Sequence, residues 1–216
     1  MRRGLALLLA SLLIAACAAQ ISQPPGDQAE PVPALQGKSP DEAAQNSLGA
    51  YRQLVTEEDF AALGFESLDE VAKAELGPSL SVSLVPLERL RKFDPQSNPE
   101  DLLVDAGRVI FEVNVGGQLR SSLEVGSLGD LWQGQSFGSP ALIGPLAKYR
   151  QSEGDFVVWV PALNVYFDAN RTEQGILVTP AFDYPTMNLT AGRTLPASEA
   201  FAAMVELAKA QDGLPN

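Results

Sequence analysis

The sequence predicts an α+β domain, a mainly antiparallel sheet (a meander plus three further strands) with helices packed on it. Three observations carry this. Apolar residues alternate with polar ones in several short runs, which is the period of a half-buried strand. Two such runs flank Gly116-Gly117, a two-residue loop suited to the positive φ of a hairpin turn. The segment 197–211 instead carries Ala200, Phe201, Met204, Val205, Leu207 and Ala208 at helical spacing. Short connections favour antiparallel pairing, and helices on one face of the sheet complete the class.

The elements follow in order. Tyr51, Leu54 and Val55 have helical spacing. Thr56-Glu57-Glu58-Asp59 reads as a cap followed by acids, with Gly64 ending that turn. Ser67 and Glu70 repeat the device. Leu68, Val71, Ala72 and Leu76 share a helical face, and Gly77-Pro78 stops the helix. Leu80, Val82 and Leu84 alternate with Ser79, Ser81 and Ser83, a strand with one buried face. Residues 86–93 have the spacing of a short helix, and 95–101 read as loop. The meander comprises 108–115, 118–125 and 131–137. A helix spans 140–150, interrupted at Gly144-Pro145. Phe156-Val157-Val158-Trp159-Val160 is continuously apolar, as a central strand is. Two more strands cover 163–168 and 176–182, and Gly213 closes the final helix.

Ahead of the domain lies a distinct beginning. Arg2 and Arg3 precede an uncharged apolar run, 4–14, too short for a bilayer core that takes ~20 helical residues. A positive start, a short apolar middle and a small-residue end read as a secretory signal. The run closes on Ile14-Ala15-Ala16-Cys17, and Cys17 is the only cysteine in the chain. This tetrapeptide resembles the lipobox of bacterial lipoproteins. The resemblance covers residues 1–17 alone. It implies diacylglycerol on the Cys17 thiol, cleavage before Cys17 and acylation of the new amino group. Two or more acyl chains hold a protein stably where one only visits. The resemblance further implies the outer membrane over the inner, because Ala18 stands where inner-membrane lipoproteins tend to carry Asp. The expected organisation is a signal peptide at 1–16, a lipidated cysteine with a flexible Pro-rich tether at 17–46, and one globular domain at 47–213. The tether expectation rests on five prolines and no aromatic residue between 18 and 46, a composition that cannot repay ordering entropy.

Charge and missing residue types exclude several functions. The signal carries two of the 15 basic residues and none of the 27 acids, so the mature chain has a formal net charge of −14. Such a domain repels nucleic acid, whose binding rests on phosphate neutralisation. The chain has no histidine, which removes the commonest metal ligand and every Ser-His or Cys-His mechanism. Gly134-Gln135-Ser136-Phe137-Gly138 matches the G-x-S-x-G pattern of serine hydrolases. Lys148 is the nearest candidate base, and the pattern reads better as a strand whose glycines permit a bend or a close approach. Asp168-Ala169-Asn170-Arg171-Thr172 begins like a calcium loop. Glu173 stands where that loop needs glycine and Thr179 where it needs an acid, so the segment reads as a turn between strands. No cofactor is expected. Arg89, Arg91, Lys92, Arg108 and Arg120 form the one candidate basic patch. The aromatics Trp132, Tyr149, Phe156, Trp159, Tyr166 and Phe167 read as core. The expected function is therefore a membrane-anchored, non-catalytic binding or structural domain of the cell envelope, with a protein, polymer or small ligand as partner. The alternative is an envelope hydrolase working through paired Asp/Glu carboxylates.

Overall fold

The computed structural model describes residues 35–211. The signal, Cys17, the first part of the tether and Gly213 lie outside them. Among the described residues the elements are β1 (Gln36–Gly37), α1 (Pro40–Leu54), α2 (Leu68–Ala72), β2 (Glu75–Leu84), α3 (Leu87–Leu90), β3 (Val104–Val115), β4 (Gln118–Leu128) and β5 (Leu131–Phe137). They continue with α4 (Pro140–Tyr149), β6 (Phe156–Val160), β7 (Val165–Thr172), β8 (Gly175–Pro180), β9 (Leu195–Pro196) and α5 (Ala197–Ala210). The fold is α+β. The strands form a nine-stranded sheet in the order β1-β5-β4-β3-β2-β6-β7-β8-β9.

The meander is present, and Gly116 and Gly117 turn it with φ of 57° and 81°. One junction departs from antiparallel pairing. β2 and β6 run parallel, Val82 opposite Val157 and Leu84 opposite Trp159. A parallel pair needs a long crossover, and here the meander and α4 supply it.

Adjacent residues of a strand point to opposite faces, so β6 separates the core into layers. Phe156, Val158 and Val160 pack with Phe201 and Met204 of α5 and Leu90 of α3. Val157 packs with Leu80, Val82 and Ile110 against Ile143 and Leu146 of α4. On the α5 side, farther along the sheet, α1 and α2 set Ala43, Leu48 and Val71 on Phe111, Val113, Leu123 and Val125. The expectation of helices on one face is corrected: α4 covers the other. The serine face of β2 lies between the two helical layers, which is why Ser81 is exposed while Leu80 and Val82 are buried.

Three boundaries are also corrected. The tether was expected to run to residue 46, yet 35–46 are folded. Ser39 caps α1 by accepting from the Glu42 amide at 3.2 Å, the Glu42 carboxylate accepts from the Lys38 amide at 2.7 Å, and Ala43 and Ala44 are fully buried. Apolar volume comes from small residues packed at close range, so a scarcity of aromatics did not mean disorder. The second helix ends at Ala72 and not at Gly77-Pro78. Leu76 already pairs with Val113 in β2, and Gly77 and Pro78 occupy an irregularity between Leu76 and Ser79, where proline's missing N–H costs nothing. Thr56 caps only a series of turns: Asp59 accepts from the Thr56 hydroxyl at 2.6 Å and no α-helix follows.

Limited proteolysis should therefore leave a resistant core that begins at or before Pro40. Mass spectrometry of the fragments checks this, and cleavage within 40–46 in the native protein would contradict it.

Candidate functional site

An apolar cleft of about 850 Å³ lies at the carboxyl ends of the parallel strands β2 and β6. Its walls are built by the same local device used twice. After β6, Pro161-Ala162-Leu163 makes a 3-10 turn that ends on Asn164 in left-handed conformation, φ 51°. After β8, Pro185-Thr186-Met187 makes another that ends on Asn188, φ 54°. Proline fixes the first φ of each turn, and asparagine tolerates the left-handed exit. Pro86 starts α3 on the third side, and Leu207 of α5 with Gln211, the residue after that helix, closes the fourth. Tyr184 is fixed twice. Its hydroxyl accepts from the Tyr166 amide at 2.9 Å, and its backbone pairs with Leu189. Burial pushes the Tyr184 phenol above its ordinary range, so it stays neutral at physiological pH.

Leu84, Val85, Leu87, Leu163, Met187 and Leu207 make the lining apolar, while Asn164, Asp183, Thr186 and Gln211 are its polar groups. Convergent polar groups on an apolar surface suit recognition. The sequence reading passed over this site because it took 163–168 as one strand. The repeated pattern Pro-x-apolar-Asn, at 161–164 and 185–188, was the signal that marked both walls.

The five residues of the candidate basic patch do not converge. Arg89 donates to the Asp101 carbonyl at 3.0 Å. Arg91 donates to the Ala208 carbonyl at 3.0 Å and to the Gln211 carbonyl, satisfying the exposed end of α5. Arg108 pairs with Glu124 at 3.0 Å and lies over the Trp159 ring. Arg120 bridges Glu66 and Glu70 at 2.9 and 2.8 Å. Lys92 is exposed on the turn after α3. Four of the five cations thus serve internal contacts.

Ser136 is exposed, while Phe137 beside it stacks on Tyr51 with centroids 4.6 Å apart. The glycines of this pentapeptide are structural. A Cβ on Gly134 would overlap the Ser47 hydroxyl of α1, and Gly138 adopts φ 91° against Leu63. Lys148 lies over the Tyr149 ring and not at Ser136. This constellation has neither a base at the serine nor an enclosed pocket.

A buried carboxyl pair lies on the α4 face. Asp155 and Asp168 are 3% and 2% exposed. Asp155 accepts from the Gln151 and Ser152 amides at 2.6 and 3.1 Å and from the Ser152 hydroxyl at 2.5 Å. Although burial opposes it, these donors and Asn170 hold its carboxyl below the ordinary range. Asp168 Oδ1 has no hydrogen-bond partner among the described residues. Burial above all, then the neighbouring Asp155 charge, pushes the Asp168 carboxyl up to about 7, against the opposing pull of Arg150. The segment 168–172 belongs to β7 and is not the turn expected there; Glu173 and Gln174 form that turn. Beside Asp168, Asn170, Thr179 and Thr194 line a void of about 50 Å³.

No family model matches the chain, and neither does any of the curated proteins or solved structures compared with it.

Asp168 makes stability depend on pH with a definite sign. Its folded pKa is raised, so its contribution is full below the ordinary carboxylate pKa and is lost as pH rises through about 7. Asp155 acts oppositely, but only at the acid end. Asp168→Asn keeps the neutral shape and cannot ionise. Between pH 5 and 8.5 the wild-type melting temperature should fall by about 5 °C more than that of the variant. Calorimetry at the two pH values checks this, and parallel profiles would refute it.

Proposed function

We propose that the chain is a lipoprotein of the bacterial cell envelope, anchored through lipid on Cys17, with a domain that binds and does not catalyse. Its ligand is a small amphipathic molecule with an apolar body and a hydrogen-bonding head. The observation that carries this reading is the cleft bounded by Pro86, Pro161, Pro185 and α5. Three prolines and two short turns leave its walls little freedom, so binding need not order them, which saves affinity otherwise lost to entropy. Its size falls within the usual range of small-molecule sites. The anchor reading is supported by Ile14-Ala15-Ala16-Cys17 and the single thiol.

The hydrolase alternative would draw on Asp155 and Asp168, the carboxyl pair with one raised pKa. Both are sealed from solvent, and the adjoining void of about 50 Å³ has room for water and not for a sugar ring. Binding in the cleft is therefore the better supported reading.

N-phenyl-1-naphthylamine, a neutral apolar fluorophore, should bind the purified protein with enhanced emission. Ala162→Trp, which fills the cleft from its rim, should weaken that binding at least tenfold at an unchanged circular dichroism spectrum. Equal affinity in the two proteins would remove the cleft as the site. Cys17→Ser should move the protein out of the membrane fraction; membrane association that survives the substitution would refute the lipid anchor.

A further inference from the structure

Four large apolar side chains stand exposed among the described residues, and two of them share one hairpin tip. Leu128 and Leu131 face each other across the β4–β5 turn, 56% and 38% exposed, with Gly129 at φ 60° between them. Trp132 follows directly and is half-buried. The hairpin does not need these leucines for its core, because Val125 and Phe137 already anchor its inner face.

The tip has a definite place. Leu84 pairs with Val104 and Arg108 with Gly126, so the end of β2, the start of β3 and the β4–β5 turn lie at one end of the strands. That is also the end where the cleft opens. The chain enters the sheet beside the tip. Gly37 pairs with Trp132, and the Leu35 carbonyl accepts from the Gly134 amide at 2.9 Å. Residues 18–34 span at most about 60 Å when fully extended, so a domain anchored at Cys17 stays within reach of the bilayer that holds its lipid.

We propose that the Leu128–Leu131 tip contacts the bilayer interface and turns the cleft end of the sheet toward lipid. This rests on the anchored reading above. The occupant is a zwitterionic lipid surface: the domain is strongly acidic and Asp130 sits within the turn, so anionic headgroups repel it. Two leucines would bind weakly from solution. An anchored domain meets the surface at high effective concentration, where a weak contact suffices to set orientation.

The test uses the mature chain, 17–216, coupled through Cys17 to a maleimide lipid in phosphatidylcholine vesicles. Trp159→Phe leaves Trp132 as the only tryptophan. Phosphatidylcholine brominated high on its acyl chains should quench Trp132, and Leu128→Asn with Leu131→Asn should cut that quenching at least threefold. Leu54→Asn, an equally exposed leucine at the end of α1, should leave it unchanged. Absence of quenching in the parent, or equal quenching in the double variant, would overturn the contact. Mass spectrometry of Cys17 in protein purified from its own membrane tests the anchor separately. An unmodified Cys17 there would refute the anchored reading without altering the vesicle result.

Discussion

The three-residue parallel junction between β2 and β6 is the constraint on which the rest of this domain depends. It joins the meander, with α1 and α2, to β7–β9, with α5. On one face Leu80, Val82 and Val157 receive Ile143 and Leu146 of α4, all nearly inaccessible. Burying a side chain of this size contributes ~1.5–3 kcal/mol, so the apolar cluster shared with α4 stabilises the seam on that face. On the other face β2 brings only Ser79, Ser81 and Ser83, with Ser83 opposite Val158, which is buried under α5 and α3. β2 is thus packed by apolar residues on the α4 face, while on the opposite face the α1–α2 cluster and the α5 cluster stay separate.

The same junction creates the cleft. Antiparallel neighbours are joined by tight turns at their ends, whereas two parallel strands deliver two chains to one end with separate paths onward. After Leu84 the chain turns into Pro86 and α3. After Val160 it enters the turn at Pro161. The gap between these exits is the floor of the cleft, and the turn at Pro185 and the end of α5 close around it. Arg91 supports that wall by capping the carbonyls of Ala208 and Gln211. A residue first considered for an anionic partner thus serves the frame of an apolar site.

What was legible in the sequence were interactions local in the chain. Gly116-Gly117 announces its hairpin, Ser67 and Glu70 announce α2, and the apolar stripe of 197–210 announces α5. Ser39-Pro40-Asp41-Glu42 carried an equally local signal for α1: a capping serine, proline at the first helical position and a glutamate three residues on. Proline content over a longer window masked it. The parallel junction, the second layer formed by α4 and the Asp155–Asp168 pair were not legible. Each depends on residues far apart in sequence meeting on one face, and alternation specifies two faces without specifying what covers either. The failed expectation at Gly77-Pro78 has a related cause. Both residues stop helices and both also suit a strand irregularity, and the choice was made by the pairing of Leu76 with Val113.

The carboxyl pair and the cleft place opposite demands on neighbouring strands. Tyr166 and Asp168 are two residues apart on β7 and face the same side. The Tyr166 backbone amide holds the Tyr184 hydroxyl at the cleft wall. The Asp168 carboxyl adjoins a void of about 50 Å³ and keeps its proton to near neutrality. Ionising Asp168 puts a second negative charge beside Asp155 with no donor to receive it, a cost met by displacing β7 or by admitting water. The strand is fixed elsewhere by its pairing with β6 from Phe156 to Val160 and by a fully buried Phe167 on its other face. The carboxyl that titrates near neutral pH and the amide that holds Tyr184 therefore sit two residues apart on one strand, and that strand's other face is held by the buried Phe167.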